Sequence, residues 1–218
     1  MMDKFHGDLA KLKSGVLGMG LFAEQMLSDA MLALGGSDLD LARDVKERKT
    51  RLSEENDALE EEAYQTIALY QPVACDMREV ACALKVITSA ERIGRYGKDI
   101  AGVVLSLGDA QTFDLVTALS LPHMGDLVLS MIDDSLRAYE TCDLDRIAHH
   151  SERDDVVDSL RQTIFREGIT YMMEDPRTIT PCMNYLMIAR YLERCADHSC
   201  KIAEKVHYMV TGERVEVR

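Results

Sequence analysis

The sequence predicts an all-α protein made of two tandem three-helix bundles, six long helices related by an internal repeat. Three observations lead there. Apolar residues recur at spacings of three and four from Leu12 onward, the period of a helix with one buried face. The chain has 218 residues, 47% apolar and 29% charged, with 4 prolines and no tryptophan, a composition with few helix breakers and enough length for a large core. The succession of helix and break then returns in the second half, and no β-branched alternating segment competes with it.

Val16, Met19, Ala23, Met26, Ala30 and Ala33 form one stripe of the first helix, which Gly35-Gly36 stops. Ser37 or Asp38 supplies an N-cap oxygen for a second, highly charged helix that runs to the break at Gln71-Pro72. A third begins near Val73, carries Val80, Leu84, Ile87, Ile93 and Ile100, and ends after Leu107 at Gly108-Asp109. Pro122 suits the first turn of a fourth helix through Met131 and Ile132 toward Tyr139. Asp143 caps a fifth that reaches about Glu174, where Asp175-Pro176 breaks it. The sixth spans about Pro181 to Val210, with Gly212 as terminator. The expected domains are residues 1–110 and 111–218.

The repeat is visible residue by residue. Glu91-Arg92-Ile93-Gly94 lies under Glu193-Arg194-Cys195-Ala196, followed by Ile100-Ala101 under Ile202-Ala203, and the stretch Arg48 to Ser53 lies under Arg153 to Asp158. Small residues at Gly94/Ala196 and Gly97/Ser199 permit close helix approach after each Glu-Arg pair.

With 38 acidic against 25 basic residues, the net charge of −13 repels phosphate backbones and anionic lipid, so no nucleic-acid partner is expected. No apolar run nears the roughly 20 residues that span a bilayer, which argues against membrane insertion. The six cysteines form no CxxC pair, and the N-terminus "MMDKFHGDLAKLKSG" carries no signal-peptide core; a reducing cytoplasm is the expectation. The 13 methionines are expected mostly as core filler.

Asp154 with Asp158, and Glu193 with Asp197, place like charges four apart on consecutive helices. Such pairs are unfavourable by a few tenths of a kcal/mol even when exposed, and need a cation, basic neighbours or full solvation. A solvated face balanced by Arg153, Arg194 and Lys201 is the plain alternative, and Asp40 with Asp44 has the same spacing on a wet face. His149, His150 and His198 lie near these acids, yet a lone helix histidine is more often structural. Cys195 and Cys200 read as small core residues, Arg78 and Arg92 as packing or ion-pair residues.

The segments "QPVACDMREV" (Gln71 to Val80), "ERIG" (Glu91 to Gly94), "RDDVVDSL" (Arg153 to Leu160) and "RYLERCADH" (Arg190 to His198) together resemble the PhoU family of phosphate-transport accessory and regulatory proteins. The resemblance covers nearly the whole chain. It implies two three-helix bundles and acidic motifs able to hold a surface metal cluster: here Asp154, Asp158, Glu193 and Asp197, with Asp155 as an extra ligand. These hard oxygen donors suit iron first, then manganese or magnesium, with zinc less favoured. The first half departs from the pattern, with Lys49, Ser53 and Arg95 at the positions of Asp154, Asp158 and Asp197, leaving Glu91 to pair with Arg95. No nucleophile-base set, glycine-rich phosphate cradle or cofactor fingerprint is present, so a non-catalytic role is expected. By resemblance, the protein restrains a phosphate ABC transporter through its ATPase subunit when phosphate is plentiful, engages a phosphate-sensing histidine kinase, and forms a homodimer. The rivals are a ferritin-like carboxylate oxidase, which wants Glu-x-x-His motifs that the chain lacks, and a helical adaptor of another transport system.

Overall fold

The N-terminal apolar stripe forms α1, Met2–Gly36, in the computed structural model, which describes residues 2–108 and 113–217. The helix starts well before Leu12 because Phe5 and Leu9 extend its buried face. The Phe5 ring meets that of Tyr70 at 5.1 Å, and the Tyr70 hydroxyl donates to Asp8 at 2.6 Å. Asp38 caps the next helix, accepting from the Asp40 and Leu41 backbone N–H groups.

The second predicted helix is divided at Arg48 into α2, Leu39–Glu47, and α3, Lys49–Tyr70. The division is a bend rather than a break, because Arg48 N–H still reaches the Asp44 carbonyl at 3.2 Å. α3 ends where Gln71 turns left-handed at φ 47° before Pro72. α4, Ala74–Leu107, follows, and Gly108 ends it with φ 46°; Asp109, named as part of the same stop, lies outside the described residues.

Sequence reasoning missed a short helix, α5, Phe113–Ala118, beside which Leu115, Val116 and Leu119 are buried. α6, Leu121–Thr141, opens with Pro122 in its first turn. Asp143 caps a 3-10 turn at Leu144–Ile147 instead of the fifth helix itself, and that helix, α7, runs His150–Glu174. α8, Ile179–Thr211, begins slightly ahead of Pro181 and stops at Gly212, φ 78°. The described residues contain no strand and no helix long and apolar enough to cross a membrane.

α1, α3 and α4 form one bundle, α6, α7 and α8 the other, and the two join through α4 against α8 and α1 against α6. The join has approximate two-fold symmetry. Gly20 faces Leu136 and Gly125 faces Met31, and each glycine is the repeat counterpart of the other, as Met31 is of Leu136. Tyr96 and His198, also counterparts, meet ring to ring at 6.3 Å. The shared geometry extends to half-buried ion pairs: Arg48 reaches Asp29 at 2.6 Å, and its counterpart Arg153 reaches Asp134 at 2.8 Å.

Backbone contact at Gly97 holds α4 on α1. A Cβ there would lie 2.9 Å from Leu27 N and Met26 C, so the helices would have to separate. Gly97→Ala should therefore lower stability by about 1–3 kcal/mol. Gly102→Ala, with nothing within 4 Å of the added carbon, should raise it by about 0.5–1 kcal/mol through helix propensity. Urea unfolding of the two variants beside wild type checks both signs.

Candidate functional site

Helical register decides where the acidic residues go. Val157 and Ile164 turn α7 toward the core, while Leu192, Cys195, Ala196 and Ser199 do the same for α8. Asp154, Asp158, Glu193 and Asp197 consequently flank the line where the two helices meet, with Asp155 further out on the exposed side. The structure thus brings the sequence-predicted acids to one face.

Their electrostatics show the crowding. Burial, then the charges of Asp197 and Asp158, push the Asp154 carboxyl up to about 6, against a hydrogen bond from the Cys200 thiol; Asp155 adds to the rise. Glu193 is raised as well, by burial first and then Asp197, with Arg194 and Arg161 opposing. Glu193 has 17% side-chain exposure, and its Oε2 is buried without a hydrogen-bond partner. The nearest cations are Arg194 Nε at 3.6 Å from Oε2 and Arg161 Nε at 3.9 Å from Oε1, and Arg194 Nη1 also donates to Asp197 at 3.2 Å.

As oxygen donors, these side chains fit a hard cation in kind, and the unpartnered Glu193 oxygen and the strained ionisation of Asp154 are what such a cation would relieve. Among the described residues, no three His, Cys, Asp or Glu side chains are gathered as a ready metal cage. In the arrangement seen, the arginines supply the countercharge.

The first bundle resolves the same position differently. Arg95 forms an ion pair with Glu91 four residues earlier, and Glu91 keeps only 12% exposure. An arginine side chain thus stands where the second bundle has Asp197, and its charge is spent inside the helix face.

The neighbouring residues sort cleanly. His149 is exposed and bonded to Glu152 at 2.6 Å. His150 is wholly buried: its Nε2–H reaches the Met131 carbonyl at 3.1 Å and Ser135 Oγ at 2.8 Å, while Ser199 Oγ donates to the same carbonyl at 2.8 Å. Sequence reasoning missed this network; its signal was a polar Ser135 inside an apolar stripe whose first-half counterpart is Ala30. His198 is half-buried and pushed down to about 4 by burial and by Lys201, Lys85, Arg92 and Arg194.

Cys195 and Cys200 are core residues, and Arg78 is a packing residue whose Nε donates to the Met209 carbonyl at 3.4 Å. The methionines divide: Met19, Met26, Met124, Met131 and Met209 fill the core, whereas Met77, Met173, Met183 and Met187 are exposed.

Two repeat-related helical bundles, one with a carboxylate-lined face, define a tandem three-helix-bundle protein. More particularly, the chain belongs to the PhoU family: the family model described as "PhoU domain" matches residues 16–104 and 121–206. It is 40% identical over 208 residues to a "Phosphate-specific transport system accessory protein PhoU homolog" of Caulobacter vibrioides, covering 95% of this chain and 90% of that one. The crystal structure of PhoU from Pseudomonas aeruginosa superposes with a TM-score of 0.89 at 32% identity, over 96% of this chain and 100% of the other. The phosphate transport system regulatory protein PhoU from Streptococcus pneumoniae does so with a TM-score of 0.87 at 29% identity, over 97% and 99%.

Because the Asp154 carboxyl holds its proton up to about 6, above the usual 3.8, its ionisation opposes folding fully above that pH and ceases to matter as pH falls toward 3.8. Asp154→Asn should therefore stabilise the protein by about 1 kcal/mol near neutrality, after allowance for solvent screening, and leave it unchanged near pH 4. Urea unfolding at the two pH values measures the difference.

Proposed function

We propose that this protein is an accessory regulator of phosphate transport that acts by binding rather than by catalysis. It engages the ATPase subunit of a phosphate ABC transporter from the cytoplasm and restrains import when phosphate is plentiful, with a phosphate-sensing histidine kinase as a second partner. The observation that carries this reading is the 40% identity, over 95% of the chain, to a relative named as a phosphate-specific transport system accessory protein.

The surface supports an adaptor. α7 and α8 leave Phe165, Ile169, Met173, Ile179 and Met183 exposed on their hairpin, an apolar surface of the kind that partners cover. A groove lined by Arg161, Gln162, Phe165 and Arg166 lies on the same helix, next to Glu193. The protein acts as a homodimer in this reading. A hard cation, iron before manganese, magnesium or zinc, would be held by Asp154, Asp158, Glu193 and Asp197 with Asp155, and would turn an acidic face into an acceptor for anionic groups.

Two measurements test the proposal. The purified ATPase subunit should capture the protein, and the intact transporter should hydrolyse ATP more slowly in its presence; no capture and unchanged hydrolysis would remove the regulatory reading. Elemental analysis of protein purified without chelator should find stoichiometric metal in wild type and none in Asp154→Ala/Glu193→Ala, whereas metal-free wild type would remove the cation and leave the adaptor.

A further inference from the structure

The long helices at the join do not share the charge of the molecule. α4 and α8 carry nine lysines and arginines against seven carboxylates, in a chain of net charge −13. Most of those carboxylates are already engaged: Glu91 with Arg95, Asp99 with Lys98, Glu193 and Asp197 with Arg194, and Glu204 as acceptor from the Val217 N–H at 3.1 Å. Lys85, Arg92 and Lys201 have no carboxylate within ion-pair distance among the described residues, although Lys85 and Lys201 are half-buried.

The helix register puts these cations together. Arg78 Nε on Met209 O at 3.4 Å, and the stacked rings of Tyr96 and Tyr191 at 5.7 Å, set α4 antiparallel to α8. Lys85 and Arg92 stand two turns apart on one side of the seam, and His198, Lys201 and Lys205 occupy successive turns on the other. Lys201 and Lys205 lower the pKa of Lys85 after burial does, and outweigh Glu204, the carboxylate that opposes them. The His198 Nδ1 nearby is buried without a hydrogen-bond partner.

The fold does not require this cluster. The repeat counterparts of Lys85, His198, Lys201 and Lys205 are Met187, Tyr96, Asp99 and Val103, and the counterpart of Arg92, Arg194, is paired with Glu193 and Asp197. One end is therefore built with unpaired cations that repel one another, which opposes folding unless an anion joins them.

We propose that this end of the α4/α8 seam binds a phosphate-bearing anion, held by Lys85, Arg92, Lys201 and Lys205. The choice of phosphate rests on the transport reading above; the presence of an anion site does not. Orthophosphate, tripolyphosphate and ATP, titrated calorimetrically at constant ionic strength, distinguish a free ion from a phosphate chain or a nucleotide.

At least one of the three should bind saturably at one per chain, and Lys85→Gln/Lys201→Gln should weaken it about tenfold or more, as expected for two lost charge-assisted bonds. Without anion, the double variant should melt no lower than wild type, because repulsion is relieved. Absence of saturable binding in the millimolar range, or equal affinity in the variant, overturns the site. Capture by the transporter ATPase, run on the same preparations, keeps the two readings apart: capture without anion binding removes this inference alone.

Discussion

Everything at the join depends on how closely α4 lies on α1, and α8 on α6. In the first bundle the approach is backbone against backbone, with Gly97 over the Met26 carbonyl. In the second, Ser199 stands in the glycine's place and donates its hydroxyl proton to the counterpart carbonyl, Met131 O, at 2.8 Å. Either solution leaves no room for a larger side chain, and both fix the axial position of the Glu-Arg pair that lies within two turns. The placement of Glu91 and Glu193 follows from this contact.

The second bundle surrounds its contact with polar atoms and the first does not. His150, Ser135 and Ser199 form a hydrogen-bonded group around Met131 O, where the first bundle has Val45, Ala30 and Gly97, buried and apolar. A buried network of this kind defines one arrangement of helices at the expense of desolvating each member. Burial depresses the His150 pKa, so protonation opposes the folded state and the group favours folding only while neutral. The network packs directly beneath the acidic face, since His150 is one turn from Asp154 on α7 and Ser199 adjoins Cys200, the thiol that bonds Asp154. The acids of the second bundle thus sit above a hydrogen-bonded polar group whose counterpart positions in the first bundle are apolar.

Much of the fold was legible because its signals are local. Glycine, proline and capping residues marked the helix ends at Gly36, Gln71, Gly108, Glu174 and Gly212, each within a few residues. The bend at Arg48 was not, because no glycine, proline or other helix breaker marks it in the sequence. α5 escaped for a similar reason: its few apolar residues form a helix by packing under α1 and α6, and the segment is too short to show periodicity. At the candidate site, four-residue spacing did place the carboxylates on one face. Spacing could not show that Arg161 and Arg194 approach Glu193, since which cation leans on which acid is settled by side-chain packing between helices. Nor could it show that Met173, Met183 and Met187 lie outside the core, at the hairpin end of α7 and α8.

The near-symmetry of the join, with Gly20 on Leu136 and Gly125 on Met31, is that of two identical subunits fused into one chain. In a genuine pair of separate copies every substitution appears twice, so an arginine that silences one acidic face silences both. Joining the copies by a linker lifts that restriction. Arg95 can occupy one face while Asp197 remains on the other, and one end of a seam can gather cations while the mirror positions carry Met187, Asp99 and Val103. Division of labour between the halves is thus open to a single polypeptide, and the divergence of counterpart residues records how far this one has gone.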